Sequence, residues 1–149
     1  MQTGQDGRWV VVKLQRGEDI LRSLEGALED RGVTSGLVLS GIGALERLEL
    51  GWFDTEGGVY VRKRFEGSHE LLSLQGSVTL EAEPSLHLHA TVAGPSYGAV
   101  GGHLFEGRVS VLAEIGIHHL KGLHMTRKKN PATGLNELAM EPTESRVTT

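Results

Sequence analysis

The chain has 149 residues, with 15 Lys and Arg against 19 Asp and Glu, a formal net charge of −4 and no cysteine. That length fits one domain with an ordinary hydrophobic core. The lack of cysteine excludes disulfides, thiolate metal sites and cysteine nucleophiles, so any metal must be held by histidine, carboxylate or solvent. Residues 1–120 carry 10 basic against 16 acidic side chains, and residues 121–149 carry 5 against 3. The acidic body disfavours a surface that grips nucleic-acid phosphates, which takes clustered Lys and Arg. A chain without cysteine suits a reducing compartment, and a cytoplasmic location is expected. The polar opening Met1-Gln2-Thr3-Gly4-Gln5-Asp6 has no signal-peptide pattern, and no apolar run is long enough to span a bilayer.

With 21 glycines and only 5% aromatic residues, the composition suits a turn-rich β protein better than a helical bundle. Residues 1–8 read as a flexible polar leader. Trp9 to Leu14 is a Val-rich strand. Gly17-Glu18-Asp19 opens a helix, with acidic residues expected in its first turn. Ile20, Leu21, Leu24, Ala27 and Leu28 form its apolar stripe, and Gly32 stops it. Ser35 to Ile42 reads as a buried strand, with Gly41 and Gly43 marking a bend or bulge. Leu45 to Phe53 follows, with Leu48, Leu50 and Trp52 on one face. Asp54 to Gly58 is a hairpin turn leading into Val59 to Phe65, whose Arg62-Lys63-Arg64 run suits a solvated edge strand. Glu70 to Leu80 and Ser85 to Ala93 are further strands. A Gly-rich connection at 94–102 leads to a last strand from Arg108 to Ile117. Residues 121–149 read as a mobile polar tail that includes the basic run Arg127-Lys128-Lys129, with a short helical turn near Leu135 to Met140. The expected fold is α+β, a mainly antiparallel sheet or partly closed barrel of about seven strands with one flanking helix, spanning residues 9–120.

Three histidines carry the chemistry. Residues two apart on a strand share a face, so His87 and His89 point the same way while Leu86, Leu88 and Ala90 point the other. His103 follows Gly101-Gly102 and could supply a third nitrogen. Three imidazoles plus an open position is the ligand set of a catalytic zinc. The alternative is that the three are polar packing residues. Glu114 interrupts an apolar run after His103 and is a candidate base or support for such a site, with an exposed charge as the alternative. His118 and His119 face opposite ways on a strand and, with His124 and His69, read as surface or interface residues.

Two letter patterns lack their context. Gly94-Pro95-Ser96-Tyr97-Gly98 spells a nucleophile elbow, but that motif needs a strand-to-helix turn in a parallel sheet, so a plain turn is expected. Gly41-Ile42-Gly43 lacks the third glycine of a dinucleotide fingerprint, because Glu46 stands there. A cupin would place a Glu ligand shortly after its His pair, where this chain has Ala93 and Gly94.

Gly17-Glu18-Asp19-Ile20-Leu21, Ser40-Gly41-Ile42-Gly43-Ala44-Leu45, Glu70-Leu71-Leu72-Ser73-Leu74-Gln75-Gly76, Leu86-His87-Leu88-His89-Ala90 and Gly101-Gly102-His103-Leu104 with Gly107, taken in order, resemble the PPC domain, also called the domain of unknown function 296. The resemblance spans roughly residues 9–120. It implies a largely antiparallel sheet with a flanking helix, assembly as a homotrimer, and a metal site at His87, His89 and His103. In plants the domain follows AT-hook motifs in nuclear proteins; the stand-alone prokaryotic form often carries a DNA-binding label. No AT-hook core is present here: Arg16-Gly17-Glu18 and Arg31-Gly32-Val33 do not qualify. The plant-type Gly-Arg-Phe-Glu-Ile-Leu segment is replaced by Gly67-Ser68-His69-Glu70-Leu71-Leu72, which weakens any transfer of plant partners.

Two functions follow as expectations. One is a trimeric binding or assembly module holding zinc or a similar divalent metal, with DNA-associated regulation implied by the resemblance alone. The other is a zinc-dependent, hydrolase-like enzyme, in which the metal lowers the pKa of a bound water toward ~7.

Overall fold

The computed structural model describes residues 1–143. Along the chain lie β1 (Gln2–Asp6), β2 (Trp9–Gln15), α1 (Ile20–Glu29), β3 (Ser35–Asp54), β4 (Val59–Phe65), β5 (His69–Thr79), β6 (Leu86–Ala93), β7 (Ala99–His119), β8 (Leu123–Lys129) and β9 (Asn136–Pro142). The first seven strands form one sheet in the order β1-β2-β7-β6-β5-β3-β4, and β3 also pairs with β7. Every ladder in it is antiparallel. The architecture is therefore a mostly antiparallel sheet with one helix, as expected. The pairings β7–β6, β6–β5, β5–β3 and β3–β7 form a ring, made possible by two strands of 20 and 21 residues that bend through several register shifts.

Alternation explains the inner face. In β2, Val10, Val12 and Leu14 are buried while Trp9, Val11 and Lys13 point outward. Helix α1 begins where the Asp19 carboxylate accepts the Arg22 backbone N–H at 3.0 Å, so Asp19 caps the helix and neither Glu18 nor Asp19 lies in its first turn. Its stripe of Ile20, Leu24, Ala27 and Leu28 is buried against the sheet. Each buried Leu or Ile contributes about 1.5–3 kcal/mol relative to exposure. Register shifts near Val38/Ser40 and Gly43/Leu45 fall where Gly41 and Gly43 predict an irregularity.

Several segments differ from expectation. Within the expected leader, residues 2–6 are strand β1, laid along β2 from Gln2 opposite Lys13 to Asp6 opposite Trp9. The polar composition hid it, because an edge strand needs only backbone pairing. Within the expected tail, β8 and β9 form a two-stranded sheet, so Leu135 to Met140 holds a strand in place of a helical turn. Met125 anchors this hairpin: its side chain is buried and its N–H donates to Ser35 Oγ at 2.9 Å. Residues 144–149 of that tail lie outside the described residues. The Gly-rich connection is shorter than expected, since β7 begins at Ala99. Trp52 keeps the alternation of Leu48 and Leu50 along the unbroken β3–β4 register but is exposed, because β3 there runs past the core.

Candidate metal centre

Strand β6 presents His87 and His89 on one face, with Leu88 between them buried in the core. In the β6–β7 ladder His89 stands directly opposite His103. His103 is also opposite Gly51 of β3, so it sits where β7 is paired on both sides. Gly101-Gly102 is therefore strand, not the expected turn. A side chain at Gly102 would place its Cβ 2.5 Å from the Gly51 carbonyl oxygen, so the glycine allows β3 and β7 to close behind His103.

The three side chains converge. One imidazole nitrogen from each of His87, His89 and His103 lies within 4.8 Å of the others. The Nε2 atoms of His87 and His89 are 3.2 Å apart. Two nitrogens on a tetrahedral ion with bonds of about 2.0–2.1 Å are separated by roughly 3.3 Å. His87 and His103 are half-buried and His89 is exposed.

Electrostatics favours the state a metal needs. Burial, followed by the neighbouring His87, His89 and Arg62, pushes His103 down from 6.5 to about 4. Burial, then His89 and Arg127, also lowers His87. Both rings are thus neutral at pH 7, with lone pairs free to bind a cation. The Nδ1 atom of His103 is buried without a hydrogen-bond partner. A buried polar atom left unpaired this way is short of one partner. The donor set fits a divalent cation of the zinc type, held by His87, His89 and His103.

Aromatic and charged residues fix the His103 ring. Its centroid is 4.5 Å from that of Phe105 and 5.0 Å from that of Tyr60. The Arg62 guanidinium lies 3.6 Å over the other aromatic partner, Phe105. Arg62 and Arg64 both bond the buried Glu49 carboxylate, at 3.2 and 2.7 Å. The Arg64 hydrogen bond is the main reason that carboxyl is held below its ordinary range. The Arg62-Lys63-Arg64 run is on an edge strand as expected, but two of its three cations serve this network.

A cleft of about 520 Å³ opens beside His87 and His103, between α1 and the β8–β9 hairpin. A second cavity, about 530 Å³, lies on the other side of His87 and reaches His89. Arg127, within the segment whose sequence suggests a polar tail, enters the first cleft from β8. It donates from Nε to Thr79 Oγ1 at 3.2 Å and from Nη2 to Ser77 Oγ at 2.7 Å. Tyr60 and Phe105 were also missed, and only the alternation of Leu104 against its neighbours hinted that Phe105 faces the His103 side.

Glu114 does not join the histidines. It is exposed, eleven positions further along β7 than His103, and stands opposite Lys13 and Ile42. It alternates with the buried Ala113 and Ile115, which points it away from the core. His118 meets Trp9 edge-on at 4.8 Å, and His124 Nδ1 is 3.5 Å from Glu81. Burial lowers the pKa of His119. His69 packs edge-on to Phe65. Gly94 to Gly98 is a plain turn, closed by the Tyr97 N–H to the Gly94 carbonyl at 3.0 Å, with a strand after it.

The chain's relatives agree with this framework. The Plants and Prokaryotes Conserved (PCC) domain matches residues 1–121. No curated protein sequence matches. Among solved structures, a plant- and prokaryote-conserved (PPC) protein from Pyrococcus horikoshii is 32% identical, with 88% of this chain and 92% of that one covered and a TM-score of 0.78. A metal-containing protein from Archaeoglobus fulgidus is 29% identical, covering 91% of this chain and 95% of that one, with a TM-score of 0.81. A protein from Bacteroides thetaiotaomicron, provisionally described as DNA-binding, is 27% identical, covering 93% and 96%, with a TM-score of 0.83. With most of its length matched by the domain and the same fold in all three relatives, this chain belongs to the plants and prokaryotes conserved domain family.

Proposed function

We propose that this chain is a stand-alone domain of its family that binds a divalent metal, zinc or similar, at His87, His89 and His103, and that it works as a homotrimeric binding and assembly module. The observation that carries the metal is the convergence of three imidazole nitrogens within 4.8 Å, two of them on rings that burial keeps neutral. The metal-containing relative from Archaeoglobus fulgidus supports it. A metal bound there acts as a Lewis acid toward whatever enters its remaining position. The chain's own residues position the ligands: Tyr60 and Phe105 hold the His103 ring, and β5 backs His87 and His89.

The trimer reading rests on an outward apolar face. Val11 and Ile42 are 54% and 52% exposed, and both lie on the side of the sheet that bears Lys13 and Glu114. Apolar side chains clustered on an outer sheet face mark an assembly surface. We read the ring of pairings as a partly closed barrel with this face outside it.

DNA association is a second reading, favoured by the description of the Bacteroides relative. Against it stand the net charge of −4 and the engagement of Arg62 and Arg64 by Glu49. The hydrolase alternative loses its candidate base, because Glu114 is away from the histidines.

Metal analysis of the purified chain, combined with its native mass, tests the proposal. About one zinc per chain and a mass of three chains are expected. Metal well below one per three chains after zinc addition, or a monomeric mass, overturns the corresponding half.

A further inference from the structure

We infer that the cleft beside the histidines is a binding site for a small organic monocarboxylate, with Arg127 as its anion anchor and an apolar body lying toward α1. The inference rests on the metal reading for one of its two anchors. Arg127 is the observation that carries it. A guanidinium has five N–H donors. Here two are taken, by the neutral hydroxyl oxygens of Thr79 and Ser77, which leaves three for a ligand. Among the described residues no carboxylate pairs with Arg127, in contrast to Arg62 and Arg64. A half-buried cation without a counter-charge is a site in want of an anion. Burial alone lowers its pKa, and no acid opposes that shift.

Position adds to this. Ser77, which holds Arg127, is opposite His87 in the β5–β6 ladder, and Arg127 and His87 line the same cleft. A divalent ion on three neutral imidazoles keeps its full charge. Together with Arg127 it concentrates positive charge beside His87, where an anion's carboxylate is attracted.

The other walls select the class. Leu21, Leu86, Leu104, Phe105 and Leu135 supply apolar surface, and a volume of about 520 Å³ suits a small organic molecule. Glu25, Glu83 and Glu137 also line the cleft. Glu25 accepts from Ser85, and Glu137 accepts from Asn130 and Thr133. These carboxylates repel a second negative charge, so a monoanion is favoured over a dicarboxylate or a phosphate. A planar carboxylate matches the fork of one guanidinium.

The test measures zinc uptake first. Binding of butyrate, octanoate and benzoate is then followed by calorimetry, with octanamide and benzamide as neutral controls, on wild type, R127Q and R127K. We expect zinc-loaded wild type to bind octanoate or benzoate and not the amides. R127Q should weaken that binding about tenfold to hundredfold, with zinc uptake unchanged. If melting shows that R127Q does not fold, R127K serves, since it keeps the charge and loses the fork, and at least about threefold weakening is expected. No carboxylate binding by the zinc-loaded chain, or equal affinity in the folded variant, overturns the inference. If no zinc is taken up, the metal reading fails separately. Arg127-dependent carboxylate binding to the metal-free chain then upholds the anion site, and its absence overturns it.

Discussion

His89 and His103 stand directly opposite each other in the β6–β7 ladder, with ring centroids 5.6 Å apart. Cross-strand neighbours on one face are held at this distance by backbone hydrogen bonding, so the pair is positioned by the sheet and not by a flexible loop. His87 joins them two residues along β6. A site built this way is rigid before any ligand arrives.

His89→Ala separates ligation from folding. The side chain is exposed, so its loss should leave stability within about 0.5 kcal/mol of wild type. Zinc retention after dialysis should fall to background, because two imidazoles remain. Metal content and thermal melting are measured together. Full zinc retention by the variant removes His89 from the site.

The metal-free chain should lose stability in acid. His103 titrates near 6.5 when unfolded and about 4 when folded, and His87 is shifted in the same direction. Between those values the unfolded chain binds more protons, so stability falls as pH drops from about 6.5 toward 4. Denaturant midpoints across that window give the slope. His103→Gln should flatten it, and an unchanged slope contradicts the assignment.

Gly76→Ala should disturb the site from behind. Gly76 lies opposite Leu88, and a methyl there collides with the His87 carbonyl oxygen, which belongs to rigid backbone. Relief requires β5 and β6 to part where β6 carries the histidines. A loss of roughly 1–3 kcal/mol is expected from such overpacking, with weaker zinc binding alongside. Chemical denaturation and zinc titration read the two effects, and wild-type values in both contradict the close approach.

Ile42→Asp probes assembly. Ile42 points outward on the same face as Val11, across β7 from it, so a charge there leaves the core untouched and opposes burial against another copy. Light scattering should show three chains for wild type and one for the variant, with the same circular dichroism spectrum. A variant that still forms trimers moves the interface elsewhere.

Much of the fold is legible in local pattern. The Val10, Val12, Leu14 alternation and the Ile20, Leu24, Ala27, Leu28 stripe each mark the buried face correctly. The hairpin at Asp54 to Gly58 closes by the Gly58 N–H to the Asp54 carbonyl at 2.8 Å, as the turn residues predict. Strand β1 and the β8–β9 hairpin were illegible for a shared reason. Both are polar and lie outside the main apolar pattern, so backbone pairing and one buried side chain, Met125, hold what periodicity does not signal.

By itself the sequence determined that His87 and His89 share a face, because the two-residue repeat of a pleated strand depends on nothing beyond the strand. It also determined that no thiolate could take part, and that α1 would pack by one stripe. Only the tertiary structure decided that His103 lies opposite His89, that Arg127 turns into the cleft, and that Glu114 does not reach it. Those relations depend on register between strands distant in the chain and on how β3 and β7 bend. Register and bending are settled by packing of the whole core, which no local window of residues contains.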